Sequence, residues 1–384
     1  MKRLHIAIER NPGWCESVCE RKKYRHCSRV PVARARARRS TMAHGATPRS
    51  LCERYNDENY ESLRDDETRT GAYLCAIAAA APGRVCLDIG TGALALLAIA
   101  AARAGAKRVF AVEANSKAAE EARRAILVEG LQSIITVVEG FSTDIVLPSE
   151  EPVDLLIHEI IGEVAGAEGV YAAIADARLR HCGGLPVASV PARAVSWVVP
   201  SEWPSAEYFE AQPIPLLAPP GSRALLLPAL PAALRLAAPR VFEDLGFTAS
   251  GCAPLQEHSL EFDVSRAGLL RGLSIWIEIF VADADATTAE ISSAEEASRW
   301  SNVFLLLPQP IPVRCGAKLL VATRAAVGGA QPNYVFDVAL RCAAEEHDDE
   351  EVPTTKQLAT LRYPEDPLPP DVGWTEDECL VESW

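Results

Sequence analysis

The stretch Val85-Cys-Leu-Asp-Ile-Gly-Thr-Gly92 constrains this chain more than any other. Apolar residues ending in Asp88 suit a buried parallel strand, and Gly90 and Gly92 let the backbone turn tightly and approach a ligand with no Cβ in the way. Strong helix formers follow from Leu94 to Ala104, so the spacing predicts a helix whose N-terminus points unpaired N–H groups back at whatever the turn holds. That order of strand, glycine turn and helix belongs to an open α/β sheet.

The periodicity carries the pattern onward. Runs at 84–89, 108–112, 134–138 and 153–157 read as strands, alternating with helices at 55–78, 94–105, 117–128 and 169–180. Such alternation implies a parallel sheet with helices on both faces. Near Gly183 the texture changes: Pro186, Pro191, Pro200, Pro204, Pro213 and Pro215 interrupt short β-rich runs, and helix signals vanish. Runs at 194–199, 260–264, 273–281, 303–307, 318–323 and 334–340 read as strands of an antiparallel barrel or sandwich. The Ala/Leu/Pro-rich stretch 216–236 fits either an insertion or a strand pair joined by proline turns.

Composition narrows the class. With 384 residues, 49% of them hydrophobic, the chain can bury one large core or two smaller ones. No apolar run approaches the roughly 18–20 residues a membrane span needs. The formal charge of −14 hides an asymmetry, since the first fifty residues are rich in Arg and Lys (Arg34-Ala-Arg-Ala-Arg-Arg39) while 345–382 is strongly acidic. An acidic body argues against non-specific nucleic-acid binding and favours basic partners. The two methionines are Met1 and Met42, so the basic arm reads as a disordered or targeting extension, with Met42 as an alternative start. Eleven scattered cysteines without a Cys-x-x-Cys pair suit a reducing compartment, and the spacing of Cys15, Cys19, His26 and Cys27 fits none of the usual zinc pairs. Four regions are expected: a basic extension over 1–49, an α/β ligand-binding domain over 50–185, an all-β domain over 186–344 and an acidic, Pro-rich disordered tail over 345–384.

The chemistry-bearing residues cluster at strand ends. Glu113 closes the second strand about twenty residues after the glycines, where a ribose diol would sit. Position 95 is Ala, so the dinucleotide spacing G-x-G-x-x-G is missing and the ligand need not carry a pyrophosphate. Asp88 either holds the turn or meets a cofactor ammonium, and S-adenosylmethionine, with its ribose, amino group and carboxylate, matches these partners better. Arg69 then either pairs with that carboxylate or is a surface arginine beside acids. After the fourth strand come Glu159, Glu163 and Glu168. Two carboxylates converging from such a loop could clamp a planar guanidinium, the alternative being a plain solvated acidic loop.

With these pieces in order, the chain resembles the protein arginine N-methyltransferases over roughly residues 55–340. Tyr60-Glu-Ser-Leu-Arg-Asp-Asp-Glu-Thr-Arg69 is similar to the family's cofactor-capping helix, and Glu159 and Glu168 have the nine-residue spacing of its double-E loop, leaving Glu163 a bystander. Ser298-Arg-Trp-Ser-Asn-Val-Phe304 resembles its Thr-His-Trp loop, and Thr143 falls where the family lines its adenine pocket. The resemblance implies a Rossmann-like class I methyltransferase domain followed by a β-barrel-like domain, and a methyltransferase (EC 2.1.1) using S-adenosyl-L-methionine. It implies Glu159 and Glu168 as catalytic residues; Arg69, Asp88, Gly90, Gly92, Glu113 and Thr143 as cofactor residues; and Tyr60, Trp300 and Arg299 on the substrate side. It further implies arginine-containing basic proteins as substrates, cytoplasmic or nuclear placement and a homodimer. Three departures stand out: Leu94 replaces a family glycine, Arg299 replaces the His of the Thr-His-Trp loop, and His158 replaces a common Ser. They keep two alternatives open, a methyltransferase for another amine or small molecule and an inactive binding protein on the same fold.

Overall fold

A computed structural model describes residues 66–148, 151–184, 187–211, 223–248, 252–286, 288–295, 298, 300–329, 331–341 and 355–364. The basic extension, the Cys15/Cys19/His26/Cys27 group, Tyr60 and Arg299 lie outside the described residues.

The α/β part begins with helix α1 (Glu67–Ala80), started by the Asp66 carboxylate, which accepts the Arg69 N–H at 3.1 Å as N-cap. Strand β1 (Val85–Ile89) follows, every residue buried. Helix α2 (Leu96–Arg103), β2 (Arg108–Glu113), α3 (Ser116–Val128), β3 (Ile135–Glu139), β4 (Leu155–His158), α4 (Val170–His181) and β5 (Ala188–Val190) complete it. The sheet is wholly parallel in the order β3-β2-β1-β4-β5. Strand order therefore reverses between β1 and β4, and the crevice beyond their C-terminal ends is where such a sheet takes its ligand. Asn115 caps α3 by accepting the Ala118 N–H at 3.1 Å, and that helix buries its alanine stripe and Ile126 against the sheet.

The β part consists of two antiparallel sheets. Strands β6 (Arg193–Ser201), β7 (Ala224–Leu227), β8 (Arg240–Gly246), β10 (Gly268–Phe280) and β12 (Asn302–Val313) pair in the order β7-β12-β10-β6-β8, with β11 (Ile291–Ser292) attached to β10. The second sheet has the order β15-β14-β13-β9, formed by β9 (Leu255–Asp263), β13 (Lys318–Ala326), β14 (Asn333–Arg341) and β15 (Thr355–Tyr363). Contacts of β8 with β9 and of β12 with β15 join the two sheets around a shared apolar core containing Phe242, Phe262 and Phe336, giving the barrel-like body that the sequence implied. Between β6 and β7 lies a short helix, α5 (Ala206–Ala211), whose Tyr208 and Phe209 pack with Trp203 on a separate cluster around Phe304. The ambiguous 216–236 stretch supplies β7 and one 3-10 turn.

Three expectations need correction. The parallel sheet runs on to Val190, past the boundary at 185–186, because three residues between prolines are too short to show a strand signal. Helix α2 starts at Leu96, not Leu94: Ala95 is left-handed (φ 45°) at its N-cap, so the constrained position is one residue beyond Leu94. The stretch 345–384 is not wholly a disordered tail, since 355–363 pairs with β14 along its length. Charges and prolines on either side mask Leu358, Leu361 and Tyr363, of which Leu361 and Tyr363 are buried.

Candidate active site

At the switch point the glycine turn is held from β2. Gly90 (φ 77°) and Thr91 both donate their N–H to the Val112 carbonyl, at 3.0 and 2.9 Å. The Thr91 hydroxyl donates to Asp88 Oδ2 at 2.6 Å, so Asp88 does hold the turn. Its other oxygen, Oδ1, is buried and finds no partner among the described residues. Burial pushes the Asp88 carboxyl up to about 7, against the Thr91 bond that favours the charge.

Glu113 at the end of β2 is 5% exposed and braces the same turn. It accepts the Gly92 N–H on Oε2 and the Asn115 N–H on Oε1, both at 2.8 Å, which leaves each oxygen a further lone pair. Burial raises its pKa in spite of these two bonds. A Cβ at Gly90 would come within 2.8 Å of Ile160 Cγ2, so the root of the loop after β4 abuts the turn.

That loop brings three expected site residues together. The Arg69 guanidinium, from the first turn of α1, is ion-paired with Glu159, and its Cζ lies 4.7 Å from the centroid of the Trp300 ring. Arg69 is buried, so the reading of a surface arginine does not hold. A guanidinium between a carboxylate and an aromatic face gains from both charge pairing and the ring quadrupole. Asp66 serves as the N-cap of α1.

Glu168 follows a tight turn, with the Ala167 N–H on the Val164 carbonyl at 2.8 Å. Gly162 makes the turn feasible, since a Cβ there would lie 3.3 Å from Glu168 Cγ and 3.2 Å from Ala167 Cβ. Gly169 (φ 85°) then caps α4, so Glu168 directly precedes a helix N-terminus, an end whose macrodipole favours an anion. In the same loop the Glu163 carboxyl, raised in pKa by burial, meets the Tyr363 hydroxyl of β15 while its Oε2 finds no partner among the described residues, and Tyr363 also feels the charge of Glu168.

His158 is fully buried, edge-on to Phe247 at 4.7 Å, with neither ring nitrogen bonded among the described residues. Burial pushes it down to about 3, so it stays neutral at physiological pH. The Thr143 hydroxyl donates to Asp144 Oδ1 at 3.1 Å on the exposed side of the loop after β3.

Sequence reasoning missed a buried group behind the loop. Glu243 of β8, 0% exposed, accepts from the Ser196 hydroxyl (2.5 Å) and the Tyr334 hydroxyl (2.8 Å), and from the Gly166 N–H (3.3 Å) of the Glu168 turn. The available signal was an acid set among the apolar residues of Val241-Phe-Glu-Asp-Leu245.

A central parallel sheet with a glycine turn, an acid closing the next strand and carboxylates after the fourth define a class I methyltransferase fold. The family model for ribosomal protein L11 methyltransferase (PrmA) matches residues 73–167. The chain is 31% identical over 271 residues to an arginine N(omega)-methyltransferase of Streptomyces achromogenes subsp. streptozoticus, covering 67% of this chain and 73% of that one. Among solved structures it resembles Arabidopsis thaliana protein arginine methyltransferase 10 (TM-score 0.62, 21% identity, 79% of this chain and 97% of that one). A Trypanosoma brucei PRMT1 enzyme–prozyme heterotetrameric complex with AdoHcy superposes with a TM-score of 0.55 at 19% identity, over 78% of this chain and 98% of that one. The chain belongs to the arginine N-methyltransferase family, whose cofactor is S-adenosylmethionine. Among the described residues no helix is long and apolar enough to cross a membrane.

Proposed function

We propose that this chain transfers a methyl group from S-adenosylmethionine to a guanidinium nitrogen of arginine in proteins. The observation that supports it best is Arg69 itself: a guanidinium already rests on Glu159 beneath Trp300, in contact with the loop that abuts the glycine turn. The cofactor supplies an electrophilic methyl group on a sulfonium sulfur. In this reading Glu113 accepts from the ribose hydroxyls with its remaining lone pairs, and the unpartnered Asp88 Oδ1 accepts from the ammonium. Arg69 turns from Glu159 to the cofactor carboxylate, while Gly90 and Gly92 keep the turn free of side chains, and Thr143 lines the adenine side.

Glu159, released in this way, joins Glu168 in gripping the acceptor guanidinium and turning one nitrogen toward the methyl donor. Their contribution is orientation and electrostatics, with two carboxylates concentrating electron density on the attacking nitrogen. The proton leaves late, to water. His158 is too weakly basic to take it, and Arg299 stands where the family has the His of its Thr-His-Trp loop. The net charge of −14 suits basic protein substrates, a cytoplasmic or nuclear setting remains part of the proposal, and so does a homodimer.

The test is transfer of labelled methyl to an Arg-Gly-rich peptide, run beside a Lys-rich peptide and free L-arginine. Label on peptide arginine that disappears in Glu168→Gln supports the reading, and label on lysine overturns it. Label on free arginine alone would move the acceptor to the small molecule, a second reading favoured by the Streptomyces relative, which is an arginine and not a protein arginine N-methyltransferase by name.

Asp88 gives a pH signature. Its folded-state carboxyl near 7 lies above the unfolded value, so its contribution to stability is full below about pH 4 and is lost as pH rises through 7. Pairing with an ammonium requires the ionised form. Cofactor affinity should therefore climb as pH rises through about 7 and fall again as the ammonium deprotonates near ~8. Asp88→Asn should flatten the rise, weaken binding and raise the cofactor-free Tm at pH 8, measured by calorimetric titration and thermal melts. A steeper rise in the variant would show that another group titrates.

A further inference from the structure

The turn that carries Glu168 is tied to the barrel, not only to its own sheet. Glu243 is buried, and its three donors come from three elements: Ser196 of β6, Tyr334 of β14 and the Gly166 N–H of the turn. Ser196 bonds twice, since its hydroxyl oxygen also accepts the Ala165 N–H at 3.0 Å. The approach is close enough that a Cβ at Gly166 would lie 2.6 Å from Glu243 Oε1 and 2.8 Å from the Tyr334 hydroxyl. A bulge lies beside this contact. Between β6 and β8 the register shifts, Ser196 facing Glu243 but Trp197 facing Val241, so Phe242 is an extra residue on β8. Such a bulge re-aims the side chains beside it.

We propose that Glu243, held by Ser196 and Tyr334, is a positioning residue for the acceptor clamp: it fixes the 164–166 turn and through it the direction of Glu168. The inference rests on the reading of Glu159 and Glu168 as the guanidinium clamp. A carboxylate surrounded by donors alone serves as acceptor in every bond, so its place is specified by all three at once and cannot slide toward one without lengthening another. A single residue, Ala167, separates Gly166 from Glu168, and Gly169 fixes the next turn by donating its N–H to the Gly166 carbonyl at 2.9 Å. A shift of the anchor passes directly to the clamp, where a small displacement of a reacting group is costly in rate. Glu243 itself, behind the turn, touches no substrate.

The deciding experiment is a double-mutant cycle between Tyr334→Phe, which removes one hydroxyl and keeps the ring, and Glu168→Gln, read as labelled methyl transfer to an Arg-Gly-rich peptide. Tyr334→Phe is expected to lower kcat/KM for the peptide about tenfold in the wild-type background and less than twofold in Glu168→Gln, with the cofactor Kd within twofold in both. Glu243→Gln, which sets an amide N–H against a donor, is expected to lose more than Tyr334→Phe and to show the same cofactor Kd. Equal fold-losses from Tyr334→Phe in the two backgrounds, or a wild-type kcat/KM in Tyr334→Phe, overturn the positioning role. A wild-type rate in Glu168→Gln overturns the clamp itself and the inference with it, so the two failures are told apart by the Glu168 variant alone.

Discussion

Glu159→Gln is expected to cut methyl-transfer turnover by about 10²- to 10³-fold, the scale seen when one preorganised electrostatic contact to a developing charge is removed, while cofactor binding stays as tight or becomes tighter. The second half of that expectation comes from the ion pair with Arg69. Glu159 is paired with the guanidinium that, in the proposed function, takes the cofactor carboxylate, and both groups are largely buried, where paired charges are hard to separate. An amide at 159 still fills the space but competes weakly, so Arg69 is easier to take. On the proposed reading the same exchange would order the events at the site, with Glu159 released to an acceptor once Arg69 has turned away. Single-turnover rates and calorimetric titration check both halves. A variant that loses turnover and cofactor affinity together would make Glu159 a support for Arg69 and not part of the clamp.

The α/β half was legible because its chemistry is written locally. Asp88, Gly90, Gly92 and Glu113 lie at strand ends and turns whose residue types are fixed by backbone geometry, and the structure gathers them around one turn. Leu94 read as a threat to that turn on resemblance alone; in the structure the left-handed residue is Ala95. What was not legible depends on distance along the chain. Arg69 and Glu159 are ninety positions apart, and nothing in either segment says that each neutralises the other. Glu243 lies in a segment that the sequence did not mark as a strand, and the bulge beside it leaves no periodic trace. The meeting of Glu163 with Tyr363 was hidden because Tyr363 was assigned to a tail.

Removing the chain after residue 344 should therefore be ruinous, although composition marks that region as dispensable. Strand β15 pairs with β14 from Tyr334–Tyr363 to Arg341–Thr355 and contributes the buried Leu361 and Tyr363 to the core of the β part. Each large apolar side chain withdrawn from the core costs roughly 1.5–3 kcal/mol, so a drop in Tm on the order of 10 °C is expected for a body of this size. The exposed edge of β14 would also invite strand pairing between molecules, seen as concentration-dependent aggregation. Activity should fall further than stability, because Glu163 loses the Tyr363 hydroxyl in the loop that carries Glu159 and Glu168. Ending the chain after Pro364 keeps the strand and both contacts, and should leave Tm and methyl transfer at wild-type values. Tyr363→Phe isolates the hydroxyl: a preserved Tm with reduced turnover assigns the effect to Glu163, whereas equal turnover in Tyr363→Phe and the full chain confines β15 to holding the barrel closed.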